Sequence, residues 1–157
     1  MAKNIALKDS VMVNSVPLSN FARAVTFSSE HERVDVSGFS ATGVNEYQAG
    51  TTDQSVTVTF YGSYGASEVH ATLWTIHQNR SIVPFEWYAD QTQPVSATNP
   101  RLFGNVQLLT YGSPNRTRGE VDTFEATFTA CDAAGLTFSS SPTAVAAEEE
   151  ETTAKKK

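Results

Sequence analysis

Along most of the chain, apolar and polar residues alternate with a period of two. In 55–62, "SVTVTFYG", Val56, Val58 and Phe60 fall on one side and Ser55, Thr57 and Thr59 on the other. In 119–130, "GEVDTFEATFTA", Phe124, Ala126 and Phe128 oppose Thr123, Glu125 and Thr127. Strand side chains point alternately to opposite faces, so this pattern predicts sheets with one buried and one polar face. Shorter runs of the same kind cover 4–16, 21–27 (Phe21, Val25, Phe27), 33–39 (Val34, Val36), 81–90 (Val83, Phe85, Trp87) and 101–111. Pro84 offers no ladder N–H, so its strand is expected at a sheet edge or bulged there. Gly104 is expected to bend or bulge the next strand.

One stretch departs from that period. In 67–80, "SEVHATLWTIHQNR", Val69, Leu73 and Ile76 recur at i, i+4 and i+7, which predicts a helix over about 66–79 with one apolar stripe facing a sheet. Ser67 or Gly65 can cap its start, where Glu68 suits the helix dipole. His70 and His77 stand about 10 Å apart along such a helix, too far to share one metal ion. With Trp74 between them they read as a second, half-polar packing surface, and the helix as a brace.

Between these elements lies 37–54, "SGFSATGVNEYQAGTTDQ", with three glycines and no sustained period. A connection this long reads as a binding loop. The end, "SSSPTAVAAEEEETTAKKK", is of low complexity and cannot bury enough apolar surface to order itself. The expected organisation is one β domain over 1–140 and a flexible C-terminal tail over 141–157.

Composition narrows the function. The 157 residues carry a net charge of −6, and the body of the chain has no basic patch of the kind that grips nucleic acid. No apolar run could span a membrane, and the first residues do not read as a secretory signal. The single cysteine, Cys131, follows the alternating Phe124, Ala126 and Phe128 and reads as a small packed residue. No "GxSxG", "HExxH" or phosphate loop occurs, and His31 sits in what reads as a charged turn, "SSEHERVD". The "NRT" at 115–117 is a chance sequon in the absence of a secretory signal. No catalytic residue, cofactor or metal is expected.

The succession of segments carries a family resemblance. "PLSNFARAVTFSSEHERVDVSGFS", "YQAGTTDQSVTVTFYGSYGASEVHATLW", "VSATNPRLFGNVQLLTY" and "GEVDTFEATFT" cover roughly residues 15–130. In order and spacing they resemble the major tail (tail tube) proteins of long-tailed non-contractile bacteriophages, particularly of actinobacterial hosts. "FEWYADQTQP" and the EEEE/KKK tail depart from that pattern. The resemblance implies a mainly β, sandwich- or barrel-like fold with one flanking helix. It also implies a structural virion protein, assembled in the host cytoplasm, that stacks as hexameric rings into a tube. Strands of each subunit would then line a lumen for DNA, with the tape measure, tail terminator and tail tip proteins as further partners.

On this reading the 37–54 loop contacts a neighbouring subunit, with Phe39, Tyr47, Gln48 and Gly50 as candidates. Glu120, Asp122 and Glu125 are candidate lumen-facing acids that would repel DNA phosphates so that DNA passes without sticking. Two other classes remain open. One is a different virion β protein, a head decoration or tail terminator subunit. The other is a carbohydrate-binding β-sandwich using Trp74, Trp87, Tyr88 and Tyr111, with a hydrolase a distant third.

Overall fold

The structure, a computed structural model, describes residues 8–38, 43, 45–112 and 116–140. The expected tail over 141–157 lies outside the described residues. Eight strands and one helix follow in the order β1 (Ser10–Val13), β2 (Val16–Pro17), β3 (Ala22–Asp35), β4 (Tyr47–Tyr61), α1 (Val69–Asn79), β5 (Ile82–Tyr88), β6 (Arg101–Tyr111), β7 (Thr123–Ala130) and β8 (Thr137–Ser139). The strands form one antiparallel sheet in the order β2-β1-β5-β6-β7-β4-β3, with β8 paired to β6. Asn14 and Ser15 both take positive φ, the backbone of a two-residue hairpin turn between β1 and β2. The link at 18–21 then ties the two ends of the strand order together. Leu18 N–H donates to Val11 O at 2.9 Å, and Tyr61 N–H donates to Phe21 O at 2.7 Å.

The alternation read from the sequence becomes the core. Val56, Val58 and Phe60 of β4 meet Phe128, Ala126 and Phe124 of β7 in direct register, and all six are buried. Val83 and Phe85 of β5 and Leu102, Val106 and Leu108 of β6 continue the same layer. Each such Val, Leu or Phe side chain contributes roughly 1.5–3 kcal/mol on burial. Helix α1 closes the layer from β6, with Val69, Leu73 and Ile76 as its buried residues.

The helix starts at Val69, three residues later than the apolar period suggests. Ser67 has φ 63°, and Glu68 is the N-cap. The Glu68 carboxylate turns back to accept hydrogen bonds from the Ser63 hydroxyl and, at 2.8 Å, from Gly65 N–H. Those bonds hold its pKa below the ordinary carboxylate value, the Ser63 hydroxyl contributing most. Arg80, in the left-handed region at φ 52°, ends the helix.

Four local expectations are corrected. The runs 21–27 and 33–39 are not separate elements: one strand, β3, runs through His31, which is therefore not in a turn. Pro84 is neither at an edge strand nor in a bulge. It pairs with Asn105 on one side, and its missing N–H falls opposite Asn14, where β1 has already turned away. Gly104 keeps regular register opposite Phe85, and the β6 irregularity lies between Leu108 and Thr110. A Cβ at Gly104 would instead stand 2.5 Å from the carbonyl oxygen of Gly135, which crosses directly over it. Cys131 is exposed: it lies one residue past the end of β7, and two-residue alternation puts it out of phase with the buried Phe124, Ala126 and Phe128. Partial desolvation of its sulfur still raises the thiol pKa, helped by the neighbouring Asp132.

Candidate assembly interface

Strand β4 pairs with β7 only from Ser55 to Tyr61, whereas its pairing with β3 continues to Asp35 and Tyr47. Residues 29–35 and 47–54 therefore leave the sheet as a two-stranded arm. At roughly 3.3 Å per residue, its eight β4 residues reach about 25 Å. No face of its outer part is covered: 30–35 and 47–53 are all exposed. Local pairs hold it together. His31 Nδ1 and the Thr52 hydroxyl are 2.8 Å apart, and the Thr51 hydroxyl donates to Glu32 Oε2 at 2.9 Å. The Arg33 guanidinium lies over the Tyr47 ring at 3.3 Å from its centroid. Farther out, Ser37 N–H donates to Asp35 Oδ1 at 2.8 Å, and hydrogen bonds from the Ser37 hydroxyl and N–H hold the Asp35 carboxyl below its usual pKa.

The long connection is thus half strand. Tyr47, Gln48 and Gly50 belong to β4, not to a loop, and Phe39 lies outside the described residues. With neither face buried, nothing imposes an apolar period on these residues, which is why the sequence reads as a loop. The pairing slips between His31 and Arg33, and Gly50 sits at that irregularity. A Cβ on Gly50 would stand 2.7 Å from Val34 Cγ2. The arm is acidic: Glu30, Glu32, Asp35, Glu46 and Asp53 face a single guanidinium, Arg33, among the described residues of 28–54. Glu30 and Asp53 stand directly opposite each other, a repulsive pairing in an isolated subunit.

Below the arm, the face opposite the core carries hydroxyls. Ser55, Thr57 and Thr59 of β4 stand in register with Thr129, Thr127 and Glu125 of β7, and Thr26 and Ser28 of β3 extend the row. The Thr57 and Thr127 hydroxyls are 3.1 Å apart. Glu125 and Arg23 flank the Tyr61 end of this face. The outer edge of β3 has no strand partner among the described residues.

The three acids singled out from the sequence are not brought together. Glu125 is exposed on the hydroxyl face, and Glu120 is exposed in the β6–β7 connection. Asp122 is half-buried and engaged. It accepts from the Tyr64 hydroxyl at 2.6 Å and pairs with Arg116 Nε at 3.3 Å, while a side chain at Gly62 would collide with it. That hydrogen bond is the main cause of a raised Tyr64 pKa.

On the helix, His70 Nδ1 and the Tyr111 hydroxyl share a 2.8 Å hydrogen bond, and His77 Nδ1 lies 3.3 Å from the Leu108 carbonyl oxygen. Trp74 lies between the two histidines, stacked on His70 and tilted by 33° to His77. Among the described residues no group of three or more His, Cys, Asp or Glu could hold a metal ion. No helix among them is long and apolar enough to cross a membrane. The aromatic residues of the carbohydrate reading make no flat platform. Trp74 and Tyr111 are inclined by 51°, and Trp87 is half-buried with its Nε1–H directed to Asp9 Oδ2 at 3.2 Å.

The sequence matches no family model and no curated protein. The fold is similar to that of solved tail assemblies. A chain of the SPP1 tail tube is 14% identical with a TM-score of 0.63, over 88% of this chain and 78% of that one. A chain of the tail of an empty gene transfer agent particle, with C6 symmetry, is 16% identical with a TM-score of 0.60, over 76% and 82%. The sheath/tube terminator of an extracellular contractile injection system, PVC, in its extended state is 12% identical with a TM-score of 0.64, over 88% and 98%. At these identities the likeness is one of fold: a mainly antiparallel β protein with one helix, of the tail tube kind.

Proposed function

We propose that this chain is a structural subunit of a phage tail tube, without catalytic activity. It would polymerise in the host cytoplasm as stacked rings, six subunits to a ring, into a conduit for DNA in the virion tail. The observation that carries this reading is the projecting, uncovered arm beside a β3 edge that has no strand partner among the described residues. Open edges and exposed ribbons are liabilities in a lone subunit, and ring closure with stacking removes both. The arm is already built, so docking it costs far less than ordering a free loop at about 1–2 kcal/mol per residue. Tyr47, Gln48 and Gly50, on the arm, are its proposed contact residues. A hydroxyl-lined face with Glu125 gives DNA phosphates no cationic row to grip, which suits passage without retention. Tape measure, terminator and tail tip proteins would be further partners, in a non-contractile tail.

The likeness to a sheath/tube terminator favours a second reading, a ring that caps a tube. Sedimentation velocity and negative-stain microscopy over a concentration series separate the two. The tube reading expects open-ended stacks that lengthen with concentration, and the terminator reading expects growth to stop at one ring. A strict monomer at every concentration refutes both.

A further inference from the structure

We propose that Gln54, acting with β8, is a clasp that fixes the direction in which the arm leaves the sheet. β7 accompanies β4 no farther than Ser55, so the arm loses its sheet neighbour at the next residue, Gln54. There the Gln54 side chain takes the place of a missing strand. Its Oε1 accepts from Leu136 N–H at 2.7 Å, and its Nε2 donates to Leu136 O at 3.1 Å. A side-chain amide that satisfies both backbone groups of one residue reproduces the exchange of bonds between paired strands. Nε2 also lies 3.4 Å from the Ser29 hydroxyl, directly across the arm, so both arm strands are engaged. Beside it, Phe27 of β3 meets Phe138 of β8 edge to face at 5.7 Å.

The other half of the clasp is rigidly held. Leu136 is buried. β8 pairs with β6 at Arg101, Leu102 and Phe103. The turn before it is braced by Asp132, whose Oδ1 accepts from Ala134 N–H and Gly135 N–H at 3.1 and 3.0 Å, and whose Oδ2 accepts from Asn105 Nδ2 at 2.9 Å. Gly104 leaves room for the Gly135 carbonyl to cross, and Gly135 at φ 63° leaves room for the Gln54 amide. A continuous path of bonds thus runs from β6 through the 132–136 turn and Gln54 into the root of the arm. A ribbon about 25 Å long turns a small change of angle at its root into a large displacement at its tip. Gln54 is therefore a positioning residue, and the C-terminal strand determines where the arm points. The consequence for stacking rests on the tube reading, but the clasp itself does not.

The test uses the full chain as a dilute subunit with Cys131→Ser. Nitroxides at Gln48→Cys on the arm and Gln78→Cys on the helix report a distance distribution by pulsed electron resonance. The unmodified clasp should give one narrow peak. Gln54→Leu keeps the size of the side chain but not its bonds. It should lose that peak to a broad distribution and speed exchange of the Leu136 amide. Thr52→Val, which removes an arm bond outside the clasp, should keep the narrow peak. If Gln54→Leu does not yield a folded subunit, Phe138→Ala decides by the same readout. A native-like peak in the deciding variant, equal broadening in Thr52→Val, or no narrow peak in the unmodified clasp overturns the proposal. Failure of the native protein to form rings or tubes would count against the proposed function and leave this measurement intact.

Discussion

Replacing residues 30–53 by Asn-Gly separates what the arm does from what the fold needs. Ser29 and Gln54 are direct partners, so a two-residue turn between them closes a regular hairpin and retains the clasp. The described residues removed from the β3–β4 pairing are all exposed, so little apolar burial disappears with them. The replacement breaks the side-chain pairs His31–Thr52, Thr51–Glu32 and Arg33–Tyr47, and the Ser37–Glu46 hydrogen bond. At about 0.2–1 kcal/mol each they sum to roughly 1–4 kcal/mol. Against this, a connection about twelvefold shorter recovers roughly 2 kcal/mol of closure entropy. Relief of the Glu30–Asp53 repulsion acts in the same direction. The net change is within about 2 kcal/mol of zero, a shift of no more than about 10 °C in Tm. Stacking, by contrast, should be abolished. Thermal melting by circular dichroism gives the first quantity and negative-stain microscopy the second. Tubes of normal length from the shortened chain would refute the assignment of the arm to stacking. A chain that no longer folds would refute the claim that the arm is energetically separate from the core.

Leu73→Asp places an unpaired carboxylate at a fully buried position and should cost several kcal/mol, seen as loss of a cooperative urea transition. Gly104→Ala drives a methyl against the Gly135 carbonyl, so it should cost about 1–3 kcal/mol and detach β8, with faster amide exchange at Leu136 while α1 stays protected. Glu68 has a lowered folded pKa, so its contribution to stability is present above the ordinary carboxylate range and is lost as pH falls through the folded value. Urea midpoints from neutral to strongly acid pH should therefore converge for the native chain and Glu68→Gln at the acid end. A constant difference between them would contradict this.

What the sequence determined was whatever burial writes into it. Val56, Val58 and Phe60, and Phe124, Ala126 and Phe128, must face a core, and that requirement imposes the period that reveals β4 and β7. Val69, Leu73 and Ile76 reveal the helix for the same reason, and the order of these segments carries the likeness to tail tube proteins. The tertiary structure alone decided features that no single segment contains. The arm is a strand pair without a buried face, so only the pairing of 29–35 with 47–54 defines it. Asp122 resembles its acidic neighbours in sequence until Tyr64, on the β4–α1 connection, and Arg116, on its own connection, enclose it. Pro84 and Gly104 read as breaks in a strand, but their roles depend on where β1 turns away and where Gly135 crosses. Gln54 is one more polar residue in a polar stretch until the fold places Leu136, 82 positions later, against it. Local periodicity records which residues face a core, and it carries no record of which distant backbone a side chain will meet.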